Sequence, residues 1–158
     1  MKNRIIDNGV FLPVIREIIE EGNDVSLTVS GNSMLPFVIS MRDKVVLSPI
    51  KQPLKKGDIA FFVRDDGKFV LHRIVKVKAQ NGYYFAGDSQ NYIEGPIARE
   101  NIFAIVTAIC RKGKWIKPGS FFWFFFKHIW IYTIPIRPTL LAVIIAIRKF
   151  LLCLRREK

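Results

Sequence analysis

The spacing of apolar residues changes along the chain, and each change predicts a different element. From about Leu12 to Glu21, Val14, Ile15, Ile18 and Ile19 recur at helical intervals, with Arg16, Glu17, Glu20 and Glu21 on the other face. This predicts an amphipathic helix, with Pro13 suited to its first turn and Gly22 to its stop. From Asp24 to Val106 the runs are short and β-like: Val25–Val29, Lys44–Leu47, Ile59–Val63, Phe69–Val77, Tyr83–Ala86 and Ile102–Ile109. Turn signals separate them, at Gly57-Asp58, Asp65-Asp66-Gly67 and Asn81-Gly82. Short strands with regular turns predict a compact, mostly antiparallel β-domain.

After Lys117-Pro118-Gly119 the pattern becomes almost uniformly apolar. Phe121–Phe126, Ile129–Ile136 and Leu140–Ile147 follow one another, interrupted by Lys127, Arg137, Arg148 and Lys149. A spanning helix needs about 20 mostly apolar residues. Each run is shorter than that, and Pro135 and Pro138 would kink a continuous helix. One spanning helix, a hairpin or interfacial pair, and a second small helical core all remain open. The division expected is therefore an N-terminal helix over 1–24, a β-domain over 25–117 and a membrane-associating tail over 118–158.

Charge sharpens this picture. Residues 1–118 carry 18 Lys+Arg against 12 Asp+Glu, and residues 119–158 carry 7 against 1. The most apolar part is thus also the most basic per residue. That combination points to a membrane surface rather than to nucleic acid. Basic residues flank both ends of the tail, so the positive-inside rule does not orient it. Met1–Asp7 lacks a long apolar run, so no signal peptide or N-terminal anchor is expected. Cys110 and Cys153 lie far apart and suggest free, packed thiols, with no metal or other cofactor expected.

The candidate chemistry begins at Ser30-Gly31-Asn32-Ser33-Met34-Leu35-Pro36. Gly31 permits a sharp turn and Pro36 discourages an immediate helix. Ser33 is expected at the end of the Val25–Val29 strand, its hydroxyl facing a groove. Alone, the stretch is ordinary turn chemistry. A serine hydroxyl needs a base to become a nucleophile. His72, in Val70-Leu71-His72-Arg73-Ile74-Val75, has the intrinsic pKa to serve. The loop Gly87-Asp88-Ser89-Gln90-Asn91-Tyr92-Ile93-Glu94 offers two carboxylates, Asp88 and Glu94, either of which could hold the second imidazole N–H.

The order of these elements resembles the signal peptidase and LexA-type serine peptidase superfamily, over roughly Val25 to Val106. In bacterial signal peptidases and LexA-type repressors the base is a strand lysine; the matching position here is His72, as in the endoplasmic-reticulum and archaeal branch. The resemblance implies Ser33 as nucleophile and His72 as base. It places Glu94 at the triad acid position and Asp88 in the supporting Gly-Asp box. Gly31, Asn32 and Met34 flank the nucleophile as oxyanion or substrate-binding positions. Gly31 replaces the serine usual in signal peptidases, so the oxyanion hole would rest on backbone N–H groups, that of Ser33 among them. The implied partner is a peptide or preprotein, either an exported signal peptide or the leader of a small peptide. A non-enzymatic peptide- or membrane-binding module and a self-cleaving LexA-type regulator are the alternatives.

Overall fold

The structure is a computed structural model and describes residues 8–78 and 82–156. Helix α1 runs Asn8–Glu20, starting earlier than its periodicity predicts, so that Pro13 falls inside it. Ile15 and Ile19 are buried, while Val14 lies exposed. The helix stops as expected at Gly22, whose N–H donates to the Ile19 carbonyl while the Asn23 N–H donates to that of Ile18. This double bond satisfies carbonyls that the helix end would leave open.

Eight strands follow: β1 Val25–Thr28, β2 Lys44–Ser48, β3 Ile59–Val63, β4 Phe69–Lys78, β5 Gly82–Ala86, β6 Glu94–Ile97, β7 Ile102–Arg111 and β8 Lys114–Ile116. They form one antiparallel sheet in the order β1-β2-β7-β3-β4-β5-β6, with β8 folded back onto β7. The fold is the mainly β, antiparallel domain that the pattern predicts, with a helix before it and an apolar helical tail after it. The β3–β4 hairpin turns at Asp65-Asp66-Gly67, as its sequence signals. Of the Asn81-Gly82 turn, Asn81 lies outside the described residues, as do Met1–Asp7.

Two strands went unannounced by their residues. β6 contains Gly95 and Pro96, which are poor strand formers. It lies at the sheet edge, where a missing N–H is tolerated. β8 is only three residues long and depends on the Lys112-Gly113 turn, where both residues take positive φ.

The sheet buries apolar side chains on both faces, and its period of two sorts them. Ile59 and Phe61 of β3 join one core, with Val45, Phe103 and Ile15 of α1. Ala60 and Phe62 join the other, with Ile74, Phe85 and Leu54. The first core also takes in Met34, Phe37 and Val38 from the β1–β2 connection.

The tail runs as consecutive helical segments without an intervening loop: α2 Phe121–Phe124, a π-helical turn Phe125–Ile129, a 3-10 stretch Trp130–Ile136 and α3 Arg137–Arg156. Pro135 sits in the 3-10 stretch and Pro138 in the first turn of α3, where its missing N–H has no helical partner to lose. Two of the six aromatics in Phe121–Phe126 are core: Trp123 and Phe126, with Trp130 beyond the run, pack in the same cluster as Phe37, whose ring lies 4.5 Å from that of Phe126. The next part is different. Val143, Ile144, Ile145, Ile147 and Phe150 of α3 are exposed. Phe121–Ile147 is long and apolar enough, by length and composition, to cross a membrane.

Candidate active site

Ser33 does not end a strand. β1 stops at Thr28, and Ser33 opens a turn inside the connection between β1 and β2. Later in the same connection lies Asp43, a fully buried carboxylate. It accepts from the Ile39 N–H at 2.9 Å and from both Nε and Nη2 of Arg42. Burial pushes this carboxyl up, but Arg42 and the Ile39 N–H outweigh it and hold it below its ordinary range. No motif points to Asp43; an acid next to a basic residue in a loop reads as surface.

Around Ser33, Gly31 is exposed with φ +88°, and it is this backbone angle rather than crowding that suits glycine. Asn32 is exposed, and its carbonyl accepts from the Leu35 N–H. Met34 is a core residue at 1 % exposure, so only its backbone is left to meet a substrate. Ser33 itself is half-buried. Among the described residues its N–H takes part in no hydrogen bond of the turn, and its hydroxyl has no partner.

The Ser33 carbonyl ties the turn to the loop after β5. It accepts from the Ser89 N–H at 2.8 Å and from the Ser89 hydroxyl at 3.0 Å. The approach is close because residue 87 is glycine: a Cβ there would come within 2.6 Å of the Ser33 carbonyl oxygen. Gly87 directly follows the end of β5, where Ala86 pairs with Arg73 of β4. The serine turn is thereby brought to the end of the strand pair that carries His72.

His72 and Arg73 are neighbours on β4, so they face opposite sides of the sheet. This separates the two carboxylates. His72, 2 % exposed, lies on the Phe62 side, and its Nδ1 is hydrogen-bonded to Oε1 of Glu94 on β6. The other Glu94 oxygen accepts from Nε of Arg64 at 2.7 Å and lies 2.6 Å from Nη2. Arg73, 1 % exposed, lies on the Phe37 side, its guanidinium 5.1 Å from that ring. It grips both oxygens of the fully buried Asp88, at 2.8 and 2.7 Å, and also donates to the Gly57 carbonyl.

Electrostatics fix the tautomer. Burial pushes the Glu94 carboxyl up, but the hydrogen bond and charge of His72, then those of Arg64, outweigh it and hold it below the usual range. An ionised carboxylate only accepts, so Nδ1 is the nitrogen that donates to Glu94, and Nε2 is left outside the pair. Among the described residues Nε2 has no hydrogen-bond partner, and no bond joins it to the Ser33 hydroxyl. Unliganded sites are often looser than the reacting complex.

The model of the peptidase S24-like family matches residues 3–110. The chain belongs to the peptidase S24-like family. Its members are serine-type peptidases or self-cleaving modules of the LexA type, within the superfamily that the order of motifs resembles. No curated protein matches this S24-like chain. The match stops at Cys110, before the tail.

Arg64 is the site residue that motif reading passed over, and Arg73 was named there without a role. Arg73 was visible only as the neighbour of His72. Arg64 stands beside the Asp65-Asp66-Gly67 turn and carries no local signal of its reach, 30 residues on, to Glu94.

Proposed function

We propose that this S24-like chain is a serine endopeptidase that cleaves an extended peptide, with Ser33 as nucleophile, His72 as general base and Glu94 as the acid that orients it. The observation carrying this reading is the His72 Nδ1–Glu94 hydrogen bond on a strand whose neighbour holds the Ser33 turn. Nε2 of His72 takes the Ser33 proton while Oγ bonds to the scissile carbonyl carbon. The Ser33 N–H, with neighbouring backbone donors, receives the developing oxyanion. The imidazolium then returns its proton to the departing amine as the C–N bond breaks. Water, deprotonated by the same ring, releases the acyl group. Asp88, held on both oxygens by Arg73, supports the loop and takes no part in proton transfer.

By resemblance, the substrate carries small residues before the cut and belongs to the signal- or leader-peptide class. The exposed apolar surface of α3 and the basic tail support attachment to a membrane. Full-length protein in detergent, given a signal-type peptide, should cut it, and Ser33→Ala should lower kcat by about 10³-fold or more. A serine-directed fluorophosphonate should label wild type and leave Ser33→Ala unlabelled. Cleavage by Ser33→Ala at the wild-type rate would remove the peptidase reading. Two fragments of the chain itself, formed without added substrate, would favour self-cleavage instead.

A further inference from the structure

The tail lies beyond the part of the chain that matches the family, yet it touches the site at its hub. Arg137 is fully buried at the start of α3. Its Nη1 donates to the Gly87 carbonyl at 2.6 Å and to that of Gln90 at 3.2 Å, and its Nη2 donates to the Trp130 carbonyl. Trp130, 4 % exposed, donates its indole N–H to the Asp88 carbonyl at 2.8 Å. Three carbonyls of one loop, at positions 87, 88 and 90, thus receive tail donors.

A second contact lies on the other partner of Arg73. Lys127 Nζ pairs with Asp58 at 2.7 Å, and the Lys127 backbone crosses so near Gly57 that a Cβ there would come within 2.5 Å of its carbonyl oxygen. Gly57 and Asp88 are the two acceptors that hold the Arg73 guanidinium. Lys127, Trp130 and Arg137 therefore enclose the ion pair from which the Gly87–Gln90 loop reaches Ser33.

We infer that the tail is a positioning element of the active site as well as an anchor: Trp130 and Arg137 hold the Gly87–Gln90 loop at the height where it sets the Ser33 turn beside His72. The inference rests on the peptidase reading for its catalytic consequence. A hydrophobic anchor needs no buried arginine, and placing a guanidinium out of water is costly unless its donors find acceptors. Here two of the three acceptors, the Gly87 and Gln90 carbonyls, belong to the candidate site loop, the third is the tail's own Trp130 carbonyl, and Nε has no partner among the described residues. Turnover of a water-soluble peptide should then depend on the tail even where no bilayer is present.

The test uses the full chain in detergent, with Trp130→Phe, Arg137→Gln, Arg137→Lys and, as a control, the exposed Tyr132→Phe. Trp130→Phe keeps the packed ring and removes only the N–H, so it remains informative if Arg137→Gln fails to fold. Arg137→Gln should lower kcat on a soluble fluorogenic peptide by about tenfold or more with KM within about twofold, since small misplacements of reacting groups are costly. Trp130→Phe should cost about three- to tenfold, as for one hydrogen bond. Arg137→Lys should recover part of the loss, and Tyr132→Phe should match wild type. The Ser89 and Gln90 amides, bonded to the Ser33 and Gly87 carbonyls, should exchange hydrogen faster in both clamp variants while β2 and β7 amides do not change. Wild-type labelling at Ser33, with variants that turn over and exchange like wild type, would overturn the inference. If wild type is not labelled, the peptidase reading fails, and loop exchange alone decides whether the tail sets the loop.

Discussion

Glu94 and Asp88 lie six positions apart in sequence and differ in almost everything else. Asp88 is fully buried, matched oxygen for nitrogen by one arginine, and sealed by Phe37 and the tail. Glu94 sits on an edge strand, retains some exposure, and divides its oxygens between an imidazole and an arginine. In the first arrangement both carboxylate oxygens are taken by one guanidinium, and the pair has nowhere to move. The second holds an ionisable ring by one nitrogen and leaves the other open. Complete satisfaction of a buried charge marks architecture, and a buried ring held by one nitrogen alone is a candidate for chemistry.

That contrast requires the two sides to fail differently. The largest effect falls on His72→Ala, which should reduce kcat by about 10³-fold or more, roughly 4 kcal/mol of barrier, with the urea midpoint little changed. Loss of folding instead of activity would make His72 structural. Asp88→Ala should act first on stability, with any fall in kcat following from the loosened Gly87–Gln90 loop. Leaving Arg73 buried and unpaired should cost about 3–5 kcal/mol of stability, read from the shift in urea midpoint. Glu94→Gln should preserve shape but weaken the hold on the tautomer, with kcat down by about 10²- to 10³-fold and a small stability change.

Acid should separate the two sides further. Because the Glu94 carboxyl is held below its ordinary range, its folded-state value lies below the unfolded one. Its contribution to stability is complete above the unfolded value of about 4.3 and is lost as pH falls through the lower folded value. Denaturant midpoints measured from pH 6 to pH 3 should therefore fall less steeply for Glu94→Gln than for wild type. The smallest effect is expected at Ser89→Ala. It removes a hydroxyl shared between the Asn32 and Ser33 carbonyls and should cost about 1 kcal/mol. Because the backbone bond from Ser89 persists, activity should drop only a few-fold.

Periodicity and turn chemistry made most of the sheet legible. β3 and β4 could be read residue by residue, since Asp65-Asp66-Gly67 fixes their hairpin and β-branched and aromatic residues fill them. β6 could not, because Glu94-Gly95-Pro96-Ile97 owes its extended pairing to β5 and not to its own preferences. The helix start was obscured for a related reason: Pro13 is a strong local signal that the surrounding turns of α1 override. At the site, Ser33 and His72 stood out by motif, whereas the choice between two acids needed the sheet.

The linear chain by itself determined the β architecture, the candidate serine and histidine, and the apolar, basic character of the tail. These depend on local spacing and composition, which the chain carries wherever it folds. Tertiary structure decided which carboxylate meets the imidazole, because alternate faces of β4 send His72 to Glu94 and Arg73 to Asp88. It also decided that Trp130 and Arg137 close over the site loop. Those pairings join residues 22, 15, 42 and 50 positions apart. Distances of that length are set by how strands and helices pack, and no short stretch of sequence encodes them.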